Sequence, residues 1–333
     1  MSDSSRITIV EVGARDGFQM EREFIPTATK IEIINHLVKS GLRNFEATSF
    51  VSPKAIPQLR DAAEVVAGVD RVPGLCLAAM VPNPKGAENA ARAGIDEMVA
   101  FVSATESHNT NNVNRSIAES LKGFESVAGI AAKARIPMHG AVAVAFGCPF
   151  EGDVAPEKVG RIVARMRALG ITGVTLGDTT GMATPPAVRR TTQYLKDRFP
   201  EIELALHFHN TRGLGLVNVY KALQLGYRRF ESSIGGLGGC PFAPGATGNV
   251  ATEDLVYLIR ELNLECGVDL EKIIESARLV ERVIGRTLPG QVMKAGPRLR
   301  RYALLMFTAK AQSTQRSYFY ASRWADGKQK RAI

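Results

Sequence analysis

His207 and His209 flank Phe208 in an HFHN run, so two of the chain's five histidines lie two residues apart. On a strand, side chains at i and i+2 leave the same face, and both imidazoles would project together. Imidazole pairs suit a divalent cation. One carboxylate and one amide oxygen would complete the protein's share and leave positions for water and substrate. Asp16 supplies such a carboxylate and Asn249 such an amide. A mixed nitrogen and oxygen set with no thiolate favours Mg²⁺ or Mn²⁺ over structural zinc. Each residue also has a plainer reading. The histidines can be a hydrogen-bonded core pair, Asp16 a turn carboxylate in Asp-Gly, and Asn249 the N-cap of a helix over 250–260.

Further groups with chemistry gather near them. Arg15 precedes Asp16 in EVGARDGFQ and puts a permanent cation at the metal's edge, able to hold a carbonyl or enolate oxygen. Its alternative is a salt bridge to Glu11 or Glu46. Glu46 and Asp178 (in GDTTG) are candidate acid/base groups; Glu46 can instead partner a supporting group, and Asp178 can be a cap near the helix that starts around residue 185. Cys240 follows four glycines in five residues, a mobile stretch that leaves a thiol unshielded. Proton donation and simple packing are both open to it, whereas Cys76, inside an expected strand, reads as a small hydrophobe.

These positions make sense as the ends of strands. Short apolar, β-branched runs occur at 7–12, 44–48, 75–81, 97–103, 139–146, 173–177, 204–209 and 229–234. Helical spacing fills the intervals, as at 30–39, 56–67, 117–134, 156–169, 185–198 and 216–225. Several of these helices end at Gly (Gly41, Gly94, Gly170, Gly226), which suits a left-handed C-terminal cap. Strands alternating with helices imply parallel pairing through crossovers. Eight such units predict an α/β fold, a (β/α)₈ TIM barrel, with a doubly wound open sheet as the alternative. In a barrel, chemistry gathers at the C-terminal ends of the strands, where Glu11–Gln19, Glu46, Asp178, the His207/His209 pair and the 235–249 loop all fall.

Composition bounds the rest. The chain has 333 residues, 45% hydrophobic and 23% charged, enough to build a core and incompatible with global disorder. It contains no run of eighteen apolar residues, which predicts no membrane span. Residues 1–6 are too short and polar to read as a secretion signal. Four cysteines without CxxC spacing argue against a disulfide scaffold and point to a reducing cytoplasm. The net charge of +9 resides in residues 294–333, with ten Lys/Arg against Asp326, which leaves 32 of each sign in the body. Interleaved with aromatics, that basic stretch has the composition that grips polyphosphate or RNA. A packing or subunit-contact extension is the preferred reading, so nucleic acid is not expected as a partner. Domains are accordingly placed at 1–297 for the barrel and 298–333 for a basic C-terminal extension.

The stretches EVGARDGFQ, EATSFVSPKAIPQ (46–58), AFGCPFEG (145–152), GDTTG, HFHN and GLGGCPFAPGATGNVATEDLVY (236–257) together resemble the 3-hydroxy-3-methylglutaryl-CoA lyases. These are metal-dependent (β/α)₈ lyases related to the Claisen-type synthases. The likeness runs from about residue 6 to 290. RDG and HxH alone are shared with isopropylmalate and homocitrate synthases, whereas the GGCPxAxGAxGN loop is a lyase feature. The resemblance implies Asp16, His207, His209 and Asn249 as metal ligands and Arg15 facing the thioester side of an acyl-CoA; Gln19, in the same EVGARDGFQ run, is our own further candidate for substrate binding. The resemblance also implies Cys240 as the loop thiol in proton transfer, with Glu46 and Asp178 at supporting acidic positions; our own candidate for general base is Asp178. It further implies cleavage to acetyl-CoA and acetoacetate, and a homodimer or larger homo-oligomer. The chain departs from the family pattern at Asn210 and Arg212, in the Asn-rich stretch 103–116, and at Ala141, where many lyases carry an aromatic. Those changes keep citramalyl-CoA or a longer 3-hydroxyglutaryl-CoA open as the substrate. A condensing synthase is the other enzymatic alternative.

Overall fold

The computed structural model describes residues 6–239 and 248–301. Eight parallel strands close on themselves: β1 (Thr8–Glu11), β2 (Asn44–Ser49), β3 (Cys76–Met80), β4 (Glu97–Ser103), β5 (Met138–Ala143), β6 (Gly173–Asp178), β7 (Glu203–Phe208) and β8 (Arg229–Ser232). Each pairs with its neighbours in sequence, and β8 returns to β1 with Thr8 opposite Arg229 and Glu11 opposite Ser232. Closure selects the barrel over the doubly wound alternative, and every expected strand is present within two or three residues of its expected ends.

Helices separate the strands because their apolar residues recur every three to four positions and their ends are capped. The helix α5 (Ile117–Ala134) starts with a reciprocal cap in which Ser116 Oγ accepts from Glu119 N–H and Glu119 returns the bond to Ser116 N–H. All four expected glycine stops, Gly41, Gly94, Gly170 and Gly226, have positive φ. One expected helix, 56–67, is shorter than its pattern. Pro57 opens a single 3₁₀ turn, Pro57–Leu59, and α2 runs only over Ala62–Gly68.

The outward strand faces carry the core. Phe45, Leu77, Met98, Leu206, Phe208 and Phe230 are all within 1% of full burial against the helix layer. Phe208 rests 5.8 Å from Phe146 between ring centroids. Its outward anchorage forces its sequence neighbours His207 and His209 to the opposite, inner side. No helix among the described residues is long and apolar enough to cross a membrane. The barrel unit ends at Gly296. Residues 297–301, which follow it, form a turn closed by Arg300 N–H to Pro297 O at 2.9 Å.

Candidate active site

At the C-terminal end of the barrel the chain leaves β1 through a π-helical turn, Gly13–Gly17, that carries Arg15 and Asp16. Asp16 N–H bonds back to Val12 O at 2.7 Å, which folds the turn over the strand end. Opposite, His207 is the last but one residue of β7, and His209 lies one residue past the strand's end in an isolated bridge with Asn249. Asn210 N–H to Gly248 O (2.9 Å) and Val250 N–H to Phe208 O (3.1 Å) lay the 248–250 segment along that strand end. This lacing explains how a residue 233 positions away reaches Asp16. Asn249 Nδ2 donates to Asp16 Oδ2 at 2.7 Å and to Leu237 O at 2.9 Å. Asn249 is therefore not the N-cap of α9 (Thr252–Glu261), a place that Ala251 takes.

The two imidazoles meet head to head, His209 Nε2 lying 3.0 Å from His207 Nε2. Two ligands at right angles, each about 2.1 Å from one ion, would be about 3.0 Å apart. Ligand atoms of Asp16, His207 and His209 all lie within 4.8 Å of one another. His209 Nδ1 and Asn249 Oδ1 are buried with no hydrogen-bond partner among the described residues. Two converging nitrogens, a carboxylate and an amide with an unsatisfied oxygen are a donor set that fits a divalent cation. The backbone leaves room for it. Gly238 has φ +111°, and a Cβ there would fall 2.5 Å from Asn249 Nδ2 and 3.2 Å from Asp16 Oδ2.

Electrostatics agree with that reading. Burial alone would raise the Asp16 pKa, but Arg15, His207 and His209 together hold it below the usual carboxylate range. Burial, reinforced by the charge of His207, drives His209 down to about 3, which leaves it neutral and able to ligate. His207 is the opposite case, because its hydrogen bond and attraction to Glu231 outweigh burial and raise it.

Arg15 completes the rim. Its Nε donates to Glu46 Oε1 and its Nη1 to Asp16 Oδ1 at 2.6 Å, while Gln19 Nε2 reaches Asp16 Oδ1 at 3.2 Å. Of the two partners open to Arg15 in the sequence, Glu46 is the one it takes. Burial pushes the Glu46 carboxyl up, against the pull of the Arg15 guanidinium. Arg15, Asp16, Gln19, Glu46, His207 and His209 all line one cavity of about 780 Å³, a size suited to a sizeable organic ligand.

Asp178 ends β6. On β6, Thr175 and Gly177 face the cavity, and strand alternation turns Asp178 outward. Its Oδ1 accepts from Met182 N–H (2.7 Å) and Ala183 N–H (2.8 Å), tying down the turn before α7 (Pro185–Arg198). Its Oδ2 is buried with no hydrogen-bond partner among the described residues, and burial raises the carboxyl to about 7 against the pull of those bonds and of His207. Cys240 lies outside the described residues.

Glu231 is the functional residue that sequence reading missed. Its Oε2 accepts from His207 Nδ1 at 2.9 Å, and its carboxylate is held down at about 2 against burial, chiefly by that bond and the charge behind it. The signal was available, since Arg229 and Glu231 are charged residues at alternate positions of a short barrel strand, a pattern that packing alone does not produce.

Two more buried acids hold the root of the glycine loop. Glu11 Oε1 accepts from Gly13 and Ile234 N–H (2.8 Å each), and its Oε2 accepts from Thr252 Oγ1 (2.5 Å). Glu253 Oε2 accepts from Gly235 N–H at 2.9 Å. Burial raises Glu253 to about 8, with Asp254 adding to it, and Glu11 to about 7. The folded chain thus keeps protons that the unfolded chain releases near 4.5, so this stability is full below that pH and is lost as pH climbs to about 8. Glu253→Gln keeps the shape without the ionisation. It is expected to flatten the fall in melting temperature between about pH 5 and 8 and to exceed the parent in stability at the upper end. Parallel slopes in thermal melts of the two proteins would exclude Glu253 as the source.

A family model described as HMGL-like matches residues 6–280. The chain belongs to this family. It is 46% identical over 286 residues to the hydroxymethylglutaryl-CoA lyase YngG of Bacillus subtilis, covering 86% of this chain and 96% of the relative. The cytoplasmic 3-hydroxy-3-methylglutaryl-CoA lyase of Rattus norvegicus is 42% identical over 289 residues, 87% of this chain and 84% of its own length. Among solved structures, an HMG-CoA lyase from A. baumannii in complex with coenzyme A and 3-methylmalate superposes with a TM-score of 0.87 at 42% identity, covering 92% of this chain and all of that one. As a member of the HMGL-like family the chain is a carbon–carbon lyase.

Proposed function

We propose that the chain cleaves 3-hydroxy-3-methylglutaryl-CoA to acetyl-CoA and acetoacetate, using Mg²⁺ or Mn²⁺ held by Asp16, His207, His209 and Asn249. The observation that carries this is the 3.0 Å convergence of the two imidazoles beside Asp16, at the edge of a cavity that Arg15 also lines. When bound, the ion makes the substrate's tertiary hydroxyl more acidic and holds it in place. Glu46 receives the hydroxyl proton; it lines the cavity, and burial moves its pKa upward, toward working pH. Breaking the carbon–carbon bond leaves an enolate on the thioester, and the Arg15 guanidinium, fixed by Glu46 and Asp16, stabilises that charge. Gln19, bound to Asp16, contacts the substrate from the 3₁₀ turn that follows, Phe18–Met20. Reprotonation of the enolate is assigned to Cys240. The enzyme works on an acyl-CoA in the cytoplasm as a homo-oligomer, with residues 298–333 as a separate basic extension that does not serve nucleic acid.

The experiment is a coupled assay of acetyl-CoA release across several 3-hydroxyacyl-CoAs, after chelation and with Mg²⁺ or Mn²⁺ restored. Cation-dependent release from 3-hydroxy-3-methylglutaryl-CoA is expected. Preferential turnover of citramalyl-CoA or a longer 3-hydroxyglutaryl-CoA would move the acyl assignment, for which the small Ala141 in the cavity wall leaves space. Keto-acid-dependent release of free CoA would replace the lyase by a synthase.

A further inference from the structure

A row of hydrogen bonds climbs the inner barrel wall to His207 through side chains with no part in the chemistry above. His139 Nε2, on β5, lies 2.9 Å from Thr175 Oγ1 on β6. Thr175 Oγ1 donates to Glu231 Oε1 on β8 at 2.5 Å, and Glu231 Oε2 meets His207 Nδ1 on β7 at 2.9 Å. His139, Thr175 and His207 are buried.

Counting protons gives this row a direction. A threonine hydroxyl has one proton, and an ionised carboxylate has none to give. Thr175 spends its proton on Glu231, so it can only accept from His139, which must then carry its proton on Nε2. Glu231 accepts at both oxygens, so the proton between it and His207 belongs to His207 Nδ1. The lone pair of a neutral His207 is thereby left on Nε2, the atom that faces His209. Two observations show that the far end is built for its occupant. Burial holds the His139 pKa down at about 4, so the ring is neutral and offers a single donor. A Cβ on Gly173 would fall 2.6 Å from His139 Nδ1, so β6 omits a side chain where the imidazole sits.

We propose that His139 is a positioning residue for the divalent ion: by donating to Thr175 it commits that hydroxyl to Glu231, which then holds His207 in the tautomer and ring orientation that ligate. This deepens the reading of Asp16, His207, His209 and Asn249 as the ion's ligands and rests on it.

Mn²⁺ binding to the full chain, measured by electron paramagnetic resonance without substrate, tests the proposal apart from turnover. Partners behind a ligating histidine typically contribute about 10- to 100-fold in affinity, so His139→Leu is expected to weaken Mn²⁺ binding at least tenfold. His139→Gln restores an N–H donor at the same reach and is expected to stay within about threefold of the parent, a rescue that a merely space-filling role would not produce. If His139→Leu does not fold, Thr175→Val against Thr175→Ser asks the same question, with loss expected for valine and retention for serine. Parental Mn²⁺ affinity in a folded His139→Leu or Thr175→Val variant overturns the proposal, as does equal loss in the leucine and glutamine variants. An unmutated chain that binds no Mn²⁺ would overturn the ligand assignment itself, and this proposal with it.

Discussion

Replacing His207 by alanine is expected to lower turnover by about three orders of magnitude while the chain stays folded. The estimate follows from what the residue holds. A bound cation contributes several kcal/mol of charge stabilisation to such a reaction, and about 4 kcal/mol corresponds to a factor of a thousand. His207 presents Nε2 to the position it shares with His209, and no other described imidazole can replace it, since His139 is committed to Thr175, His108 bonds Ser103 and His36 is exposed on the helix Thr27–Lys39. The loss should therefore appear in Mn²⁺ affinity as well as in kcat, and added cation should recover part of it. Circular dichroism and thermal melts separate this outcome from unfolding. Turnover within tenfold of the parent, with unchanged Mn²⁺ binding, would remove the imidazole pair from the mechanism.

Arg15→Lys is expected to lower kcat by about a hundred- to a thousandfold, the usual consequence of losing one group aimed at a developing oxyanion. The guanidinium spans two acids at once, Nε to Glu46 and Nη1 to Asp16. An ammonium is a single point on a flexible stem and cannot reproduce that fork. The charge is kept in this variant, so the effect isolates geometry. Because the lost interaction matters most when charge develops on the thioester, kcat should fall further than KM rises. Mn²⁺ affinity should change little, because Asp16 keeps its bonds from Asn249 and Gln19. That contrast distinguishes Arg15 from His207, and a variant that loses cation affinity in step with turnover would refute the assigned role.

The barrel was legible because its signals are local. Alternating strands and helices, and glycine stops such as Gly94 with φ 76°, are determined within a few residues. The His207/His209 pair was legible for the same reason, although His209 lies just past its strand and owes its direction to the 248–250 segment. What could not be read depended on contacts between strands far apart in sequence. Glu231 acquires its role only when β8 lies beside β7 and Glu231 comes opposite His207. The partner of Arg15 stayed open until the turn after β1 was placed beside Glu46. Asp178 turns on parity as well: it follows a cavity-facing Gly177 on β6, and its Oδ1 is taken up by Met182 and Ala183 N–H, contacts that its position at a strand end did not reveal.

Asp16 and Asn249 belong to opposite ends of the body, and they meet where β8 is zipped to β1. A cation gripped by both would act as a clasp on that seam. Any excursion that parts the first and last staves must first release the ion, so occupancy and closure are linked quantities. At a hundredfold excess over its dissociation constant, a ligand that binds only the closed form adds about 2.7 kcal/mol against opening. Scarcity of the ion would thus do more than idle the chemistry, because it would loosen the ring along the one join that no continuous stretch of backbone spans.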